Sequence, residues 1–157
     1  MPIPHSTVLV ALDHSENALE AARQAAALAQ AMGTGLVLLH VFEGHPEELL
    51  ELEQMPERFE GVVHLSDEEI AKAAERGSRK LFARIRQALP DFAGPVEEVW
   101  LTGQPADALL AYCRAHPDSL LVVGRRGQSR LRSLLLGSVS EALVRQADCP
   151  VLVISPS

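Results

Sequence analysis

The stretch SLLVVGRRGQSRLRSLLLGSVSEALVRQADCPVLVI, residues 119–154, decides the fold that we predict for this chain. It begins with a short apolar run, continues through a loop with glycines at positions 124 and 127, and ends with a second apolar run at residues 151–154. A helix-like segment that begins near Gly137 joins the loop to the second run. The order strand, glycine loop, helix, strand offers backbone N–H groups at a helix N-terminus to an anion. The stretch therefore predicts a phosphate-binding unit.

The loop itself is suited to a phosphate. Gly124 and Gly127 can take backbone angles that are closed to other residues and allow a ligand to approach the main chain. Gly137, with Ser138 or Ser140, can begin a helix whose unpaired amides point to the same space. The chain has 14 basic residues, and four of them are arginines in this loop, at positions 125, 126, 130 and 132. The alternative is that these arginines are solvated, with only one or two of them touching phosphate.

The rest of the chain alternates predicted strands and helices. We predict strands at residues 7–12, 36–42 and 96–101, the last at a sheet edge, and helices at residues 17–32, 67–89 and 106–115. Alternation with short connections indicates a parallel sheet with helices on both faces and right-handed crossovers. The fold class is therefore α/β, a single domain over residues 1–157 with an open five-stranded parallel sheet of strand order 3-2-1-4-5.

This strand order predicts where a ligand binds. The winding of the sheet reverses between strands one and four, and ligands of open α/β sheets bind outside the carboxyl ends of the strands at that point. The turn at Asp13 and the loop that begins at Gly124 meet there. Asp13 or Ser15 can cap the helix that follows, and a carboxylate beside a glycine loop can also accept hydrogen bonds from a ribose. The topology therefore predicts a mononucleotide site.

Composition excludes several other classes of protein. The formal charge of −7 argues against non-specific nucleic-acid binding, which needs a broad basic surface. No apolar run approaches the ~20 residues of a membrane span, and the N-terminus lacks signal-peptide features. Cys113 and Cys149 form no paired motif and are predicted to be core residues of a cytoplasmic protein. The six histidines lack metal-ligand spacing, so no metal site built by the protein alone is predicted.

The secondary structure of residues 43–66 is the hardest to assign from the sequence. Between positions 43 and 60 there are seven glutamates and one arginine, and prolines at positions 46 and 56 interrupt the segment. The segment is longer than an ordinary connection between elements. We therefore predict a variable acidic insertion at about residues 43–66, whose simplest role is a solvated surface.

Several motifs support a family resemblance over essentially the whole chain. They are residues 8–13 with Ser15, residues 38–41, Gly103-x-Pro105, and above all Gly124-x2-Gly127-x9-Gly137-Ser138. In these motifs the chain resembles the nucleotide-binding branch of the universal stress protein family, whose fold is Rossmann-like and related to that of the adenine-nucleotide α-hydrolases. The chain departs from the family pattern at His14, where glycine is common, and at Arg125, where serine is frequent.

The resemblance implies a role for each part of the site. Asp13 would contact the ribose, the backbone near Ala11 and Val41 would hold the adenine, and the glycine motif would cradle the phosphates. The implied ligand is ATP, ADP or AMP, with Mg²⁺ carried in by the phosphates. The predicted nucleotide-binding residues are Ala11, Asp13, Val41, Val123, Gly124, Arg125, Arg126, Gly127, Gly137, Ser138, Val139 and Ser140.

These features predict an ATP-binding regulatory or stress-response module with slow or no hydrolysis and no assigned catalytic residue. The loop has Ser138 after Gly137 and lacks the lysine that the G-K-[ST] motif requires, and no second carboxylate is placed to orient water. Two alternatives stay open. One is a partner-binding stress protein with a vestigial pocket, and the other is an enzyme that forms adenylates or cleaves between the α- and β-phosphates.

The last strand, residues 151–154, predicts self-association. It is apolar, carries no charge and would lie at an edge of the sheet. Such an edge invites pairing with a second chain, and universal stress proteins commonly dimerise through this strand. We therefore expect a symmetric homodimer, with a further protein partner left open.

Overall fold

The computed structural model describes residues 7–43, 66–125 and 137–155. The predicted strands and helices are present there, with small shifts at their ends. In chain order the elements are β1 (Thr7–Leu12), α1 (Glu16–Met32), β2 (Gly35–Phe42), α2 (Asp67–Gln87), β3 (Val96–Thr102), α3 (Pro105–Ala115), β4 (Ser119–Gly124), α4 (Ser138–Gln146) and β5 (Val151–Ile154). Of the predicted acidic insertion at 43–66, residues 44–65 lie outside the described residues, as do Arg126 and Gly127 of the glycine loop.

The five strands form one sheet of order β3-β2-β1-β4-β5, and every neighbouring pair is parallel. This is the predicted order. β1 lies between β2 and β4, with Val10 in register with Leu38 on one side and Val122 on the other. The chain winds toward β3 from β1 and then returns to build β4 and β5. The reversal therefore falls between β1 and β4, and the carboxyl ends of these strands lie side by side.

Helices cover both faces of the sheet, as predicted. α1 and α2 pack on the face that carries Val8, Val10 and Leu38, and α3 and α4 contribute to the core on the opposite face. Because both faces are covered, the central strands are apolar throughout instead of alternating with polar residues.

Helix α1 packs on the sheet through alanines. Its buried residues are Ala18, Ala21, Ala22, Ala25, Ala26 and Ala29. Small side chains allow the helix backbone to approach the sheet closely, and this close packing is why so many alanines occur here. Met32, the last residue of the helix, is 36% exposed, whereas Ala29 in the same turn is fully buried.

Helix α2 begins with a capping box formed by Ser66 and Glu69. The Glu69 backbone N–H donates to Ser66 Oγ at 3.2 Å, and the Ser66 backbone N–H donates to Glu69 Oε2 at 2.8 Å. Hydrogen bonds from Ser66 to the Glu69 carboxylate lower the pKa of that carboxyl, because they stabilise its charged form. The helix therefore has a defined start immediately after the acidic segment.

Both cysteines are buried, as predicted. Cys113 lies on α3 and Cys149 in the turn before β5, and both belong to the core on the face covered by α3 and α4. Burial, with the neighbouring Cys149 thiol, raises the pKa of Cys113 to about 12. A thiol with a raised pKa is a poor nucleophile at neutral pH because little thiolate is present. The pair therefore contributes packing to the core.

Candidate functional site

A cavity of about 280 Å³ opens at the carboxyl ends of the strands where the winding reverses. Its wall combines the β1–α1 turn, the end of β2, the start of α3, the end of β4 and the first turn of α4. The lining residues are Ala11, Leu12, Asp13, His14, Ser15, Ala18, Leu39, His40, Val41, Glu43, Pro105, Leu109, Val123, Gly124, Gly137, Ser138, Val139 and Ser140. The cavity therefore lies where the strand order predicted a ligand.

The β1–α1 turn orients Asp13 at the cavity wall. Asp13 Oδ1 accepts a hydrogen bond from the Ser15 backbone N–H at 2.9 Å and a short one from the Ser15 hydroxyl. Ser15 is the N-cap of α1, and its Oγ accepts from the Ala18 N–H at 3.2 Å. Of the two candidate caps, Ser15 is thus the cap and Asp13 its support. The second carboxylate oxygen of Asp13 has no hydrogen-bond partner within the described ranges.

The first turn of α4 presents backbone donors. Gly137 is the N-cap, and no side-chain cap bonds to the amides of this helix in the described part of the chain. The N–H groups of Ser138 and Val139 have no intrahelical acceptor, as at the start of any helix. Together with the helix dipole they form a positive surface on the cavity wall. This turn can therefore bind an anion through main-chain groups.

The base of the glycine loop is closed by hydrogen bonds to Arg125. The Arg125 carbonyl accepts from the Gly137 N–H at 2.9 Å and from Ser140 Oγ at 2.9 Å. Ser140 Oγ also lies 3.1 Å from the Gly137 carbonyl. The single hydroxyl proton of Ser140 is thus used in a hydrogen bond that joins the two ends of the loop. Ser140 Oγ can therefore act only as a hydrogen-bond acceptor toward a ligand.

The two glycines of the motif that fall in the described ranges do not use left-handed backbone angles. Gly137 has φ −62° and ψ 161°, and the positive-φ glycines of the described residues are Gly33 and Gly103. Gly124 is the last residue of β4 and pairs with Ile154. Conformational freedom therefore does not explain glycine at positions 124 and 137. Both line the cavity, which leaves close approach of a ligand to the backbone as the physical reason.

Two histidines stand together in the cavity wall. The rings of His14 and His40 are 5.6 Å apart and edge-to-face, at an interplanar angle of 78°. His40 is buried, and its Nδ1 lies 2.9 Å from Ser78 Oγ of α2. Burial, with a smaller effect of His14, lowers the pKa of His40 to about 4. His40 is therefore a neutral imidazole at physiological pH.

Most of the predicted binding residues meet at this cavity. Nine of the twelve line it: Ala11, Asp13, Val41, Val123, Gly124, Gly137, Ser138, Val139 and Ser140. Arg125 is described but is not a lining residue; its backbone N–H donates to the Ile154 carbonyl at 2.8 Å. Arg126 and Gly127 lie outside the described ranges. Sequence reasoning did not assign His40, Glu43, Pro105 or Leu109 to the site, although each is at or near the end of a predicted element.

The described wall is acidic in its side chains. Its carboxylates are Asp13 and Glu43, and no lysine or arginine is among the lining residues that the structure describes. An anion here would consequently rely on the α4 amides and on any basic groups of residues 126–136. Among the described residues there is also no cluster of three or more His, Cys, Asp or Glu side chains arranged to hold a metal.

The strand order and the cavity at the reversal point define a doubly wound α/β protein with a ligand site at its topological switch point. Residues 5–155 match the profile of the universal stress protein family. A relative from Thermus aquaticus, named universal stress protein in QAH/OAS sulfhydrylase 3′ region, is 33% identical over 150 residues, which cover 94% of this chain and 97% of that protein. The chain belongs to the universal stress protein family.

Solved structures of this family share the fold. Universal stress protein UspA from Lactobacillus plantarum superposes with a TM-score of 0.71 at 22% identity, covering 96% of this chain and 97% of that one. A universal stress protein solved in complex with cAMP has a TM-score of 0.64 at 27% identity, with 98% and 99% of the two chains covered. The family thus includes a member of the same fold and similar length whose crystal contains an adenine nucleotide.

Proposed function

We propose that this chain is an ATP-binding universal stress protein, in which the bound nucleotide controls association with a partner. The observation that carries the proposal is one cavity whose wall contains both the first turn of α4 and a carboxylate oxygen of Asp13 that has no partner among the described residues. These groups are complementary to the two polar parts of a nucleotide, the ribose hydroxyls and the phosphates. The family relationship and the relative that binds cAMP support an adenine nucleotide as the ligand.

The arrangement suggests the direction in which the nucleotide lies. The phosphates would occupy the amides of Ser138 and Val139, where the helix dipole favours negative charge. The ribose would donate a hydrogen bond to Asp13, and the adenine would lie beside the backbone near Ala11 and Val41. Mg²⁺ would enter with the phosphates. The acidic side chains of the described wall favour this division, because no lysine or arginine is among the described lining residues to attract a phosphate toward Asp13.

Hydrolysis is proposed to be slow. No lysine follows Gly137 in the motif, and the described lining residues include no lysine or arginine that could stabilise the charge developing on the phosphates during hydrolysis. Binding without rapid turnover suits a regulatory module, since the occupancy of the site then depends on the nucleotide concentration and not on the rate of hydrolysis.

We also propose one family domain for residues 1–157 and a cytoplasmic location. No helix in the described ranges is long and apolar enough to span a membrane.

The direct test is to ask which nucleotide the protein carries. Purified protein extracted with acid is expected to release an adenine nucleotide, identified by mass spectrometry. After removal of that ligand, added ATP should raise the melting temperature, because a ligand that binds only the native state stabilises it by mass action. Protein that releases no nucleotide and shows no shift with ATP, ADP, AMP or cAMP would favour the partner-binding alternative with a vestigial pocket.

Asp13→Ala is expected to weaken ATP binding about tenfold. The substitution removes the acceptor for the ribose, and a hydrogen bond to a charged group is worth about 1.5–3 kcal/mol. It also removes support for the Ser15 cap, so a melting curve without ligand is needed. Asp13→Asn is the matched control because it keeps one oxygen for the turn and the size of the side chain. Titration calorimetry with ATP and with 2′,3′-dideoxy-ATP, which lacks the ribose hydroxyls, separates the contact of Asp13 with the ribose from its support of the Ser15 cap. If both ligands lose affinity equally in the alanine variant, Asp13 does not contact the ribose.

The chain is also proposed to form a homodimer through β5. Among the described residues this strand is hydrogen-bonded to β4 alone, so no described strand pairs with its outer edge. Leu152 on β5 is 36% exposed and Val144 on α4 is 51% exposed. Large apolar side chains beside an unprotected strand edge are typical of a pairing surface. A symmetric dimer would pair the strand with its own copy.

A further inference from the structure

His40 is a buried polar side chain that the proposed nucleotide contacts above do not use. It is 6% exposed and lines the cavity. Its Nδ1 is 2.9 Å from the hydroxyl of Ser78, which is completely buried on α2. The other ring nitrogen, Nε2, has no hydrogen-bond partner within the described residues. Buried polar groups in proteins are nearly always paired, so within the described part of the chain this nitrogen is available to a ligand.

The partner of Nδ1 decides which nitrogen carries the proton. The Ser78 hydroxyl has one proton, and His40 is its one hydrogen-bond neighbour among the described residues. If Nδ1 carried a proton and donated it to Ser78, the hydroxyl proton of Ser78 would be buried without an acceptor, at a cost in free energy. The lower-energy arrangement is Ser78 donating to Nδ1. His40 is then the tautomer with its proton on Nε2.

This tautomer makes Nε2 a donor that has no acceptor among the residues that the structure describes. The nearest ring is that of His14, edge-to-face at 5.6 Å between centroids, a distance that allows at most a weak contact with its π face. The low pKa of His40, about 4, means that the ring stays neutral at physiological pH. Its N–H is therefore suited to an uncharged acceptor and supplies no net charge for a phosphate.

The position of His40 in the sheet indicates which part of the nucleotide it would contact. His40 is in register with Leu12, which immediately precedes Asp13. It lies on β2, on the opposite side of β1 from β4. The amides of α4 lie near the end of β4, because the N–H of Gly137, the N-cap of α4, donates to the carbonyl of Arg125, the residue after β4. Neighbouring strands are about 4.8 Å apart, so His40 is two strand spacings from the end of β4, where the α4 amides are. Its neighbour in the proposed complex is the nucleoside.

We propose that His40 is a specificity-determining residue whose Nε2–H donates to an uncharged acceptor of the bound nucleoside, a ribose oxygen or a ring nitrogen of the base, with Ser78 as the positioning residue that holds the tautomer. This inference rests on the proposed nucleotide-binding function. It adds a side-chain contact from β2 to a site otherwise built from Asp13 and main-chain groups. It also assigns a role to the buried Ser78 on α2, which lies outside the cavity wall.

Binding measurements test the contact with matched variants. His40→Leu removes the donor and is expected to weaken ATP and adenosine binding by the same factor, about fivefold to tenfold, as for one net hydrogen bond. His40→Gln retains an N–H near the position of Nε2 and should stay within about threefold of the wild type. Ser78→Ala keeps the imidazole but removes the hydroxyl that fixes its tautomer. The affinity of this variant for ATP and adenosine should lie between those of His40→Leu and His40→Gln. Equal affinity of wild-type protein and His40→Leu for adenosine would overturn the contact.

Side-chain NMR tests the tautomer without any substitution. With ¹⁵N-labelled histidine, His40 is expected to show the Nε2–H form, unchanged between about pH 5.5 and 8. Adenosine or ATP should shift the Nε2 and Hε2 signals while Nδ1 stays in place. A proton on Nδ1, or signals that do not move when the ligand is shown to bind, would refute the inference while leaving nucleotide binding intact. If no adenine ligand binds the wild type at all, the proposed function itself fails, and this inference with it.

Discussion

Gly137→Val is expected to weaken ATP binding about 30-fold or more while the protein stays folded. Gly137 has φ −62° and ψ 161°, a conformation open to every L-residue. Valine therefore introduces no backbone strain, and the N–H that donates to the Arg125 carbonyl is kept. The added methyl groups stand at the cavity wall beside the amides of Ser138 and Val139. Losing one charge-assisted bond to phosphate costs about 1.5–3 kcal/mol.

The measurement pairs calorimetric titration with chemical denaturation. Valine is a poorer N-cap than glycine, so a stability loss of up to about 1 kcal/mol is expected. Ala147→Val is the matched control, because Ala147 is the C-cap of the same helix with φ −66° and ψ 141° and does not line the cavity. It should bind ATP as the wild type does. A Gly137→Val protein that is folded and retains wild-type affinity would contradict a phosphate site at the start of α4.

The topology could be predicted because local patterns decide it. The apolar runs that become β1, β2 and β4 are too short for helices, and they alternate with the helical pattern of α1, which carries six buried alanines. Once the order of elements is known, crossover handedness leaves few possible sheets. The position of the cavity then follows from strand order alone. For this reason Asp13 and the glycines could be placed together without any knowledge of side-chain contacts.

The contacts inside the site could not be predicted in the same way. Whether Asp13 or Ser15 caps α1 depends on hydrogen-bond geometry, since both types of residue are good caps. The pair of His40 and Ser78 joins residues 38 positions apart in the sequence, and nothing in either local pattern indicates it. The sequence also offered left-handed angles as the reason for Gly124, but that residue is an ordinary strand residue. Local patterns place residues at a site, whereas tertiary packing decides which atoms remain for a ligand.

The edge strand β5 allows an equally sharp test of the dimer. The carbonyls of Pro150, the residue before the strand, and of Ile154 accept hydrogen bonds from Leu121 and Arg125 at 2.9 and 2.8 Å. Backbone groups of successive strand residues point to opposite sides, so the N–H of Val153 points away from β4. Val153→Pro would remove that donor and place a ring against any partner strand, while the ladder with β4 keeps its own donors.

We therefore expect Val153→Pro to weaken the homodimer about 100-fold. In a symmetric dimer each substitution acts twice, and the loss of two hydrogen bonds at about 1 kcal/mol each adds to the clash of the proline rings. Val153 also packs on the core, so Val153→Ala is the control that loses packing but keeps the N–H. Light scattering over a range of concentrations should find the alanine variant dimeric and the proline variant monomeric, with both folded by circular dichroism. If the proline variant dimerises as strongly as the alanine variant, the two chains associate through a surface other than β5, because the lost N–H and the proline ring would weaken pairing along this edge.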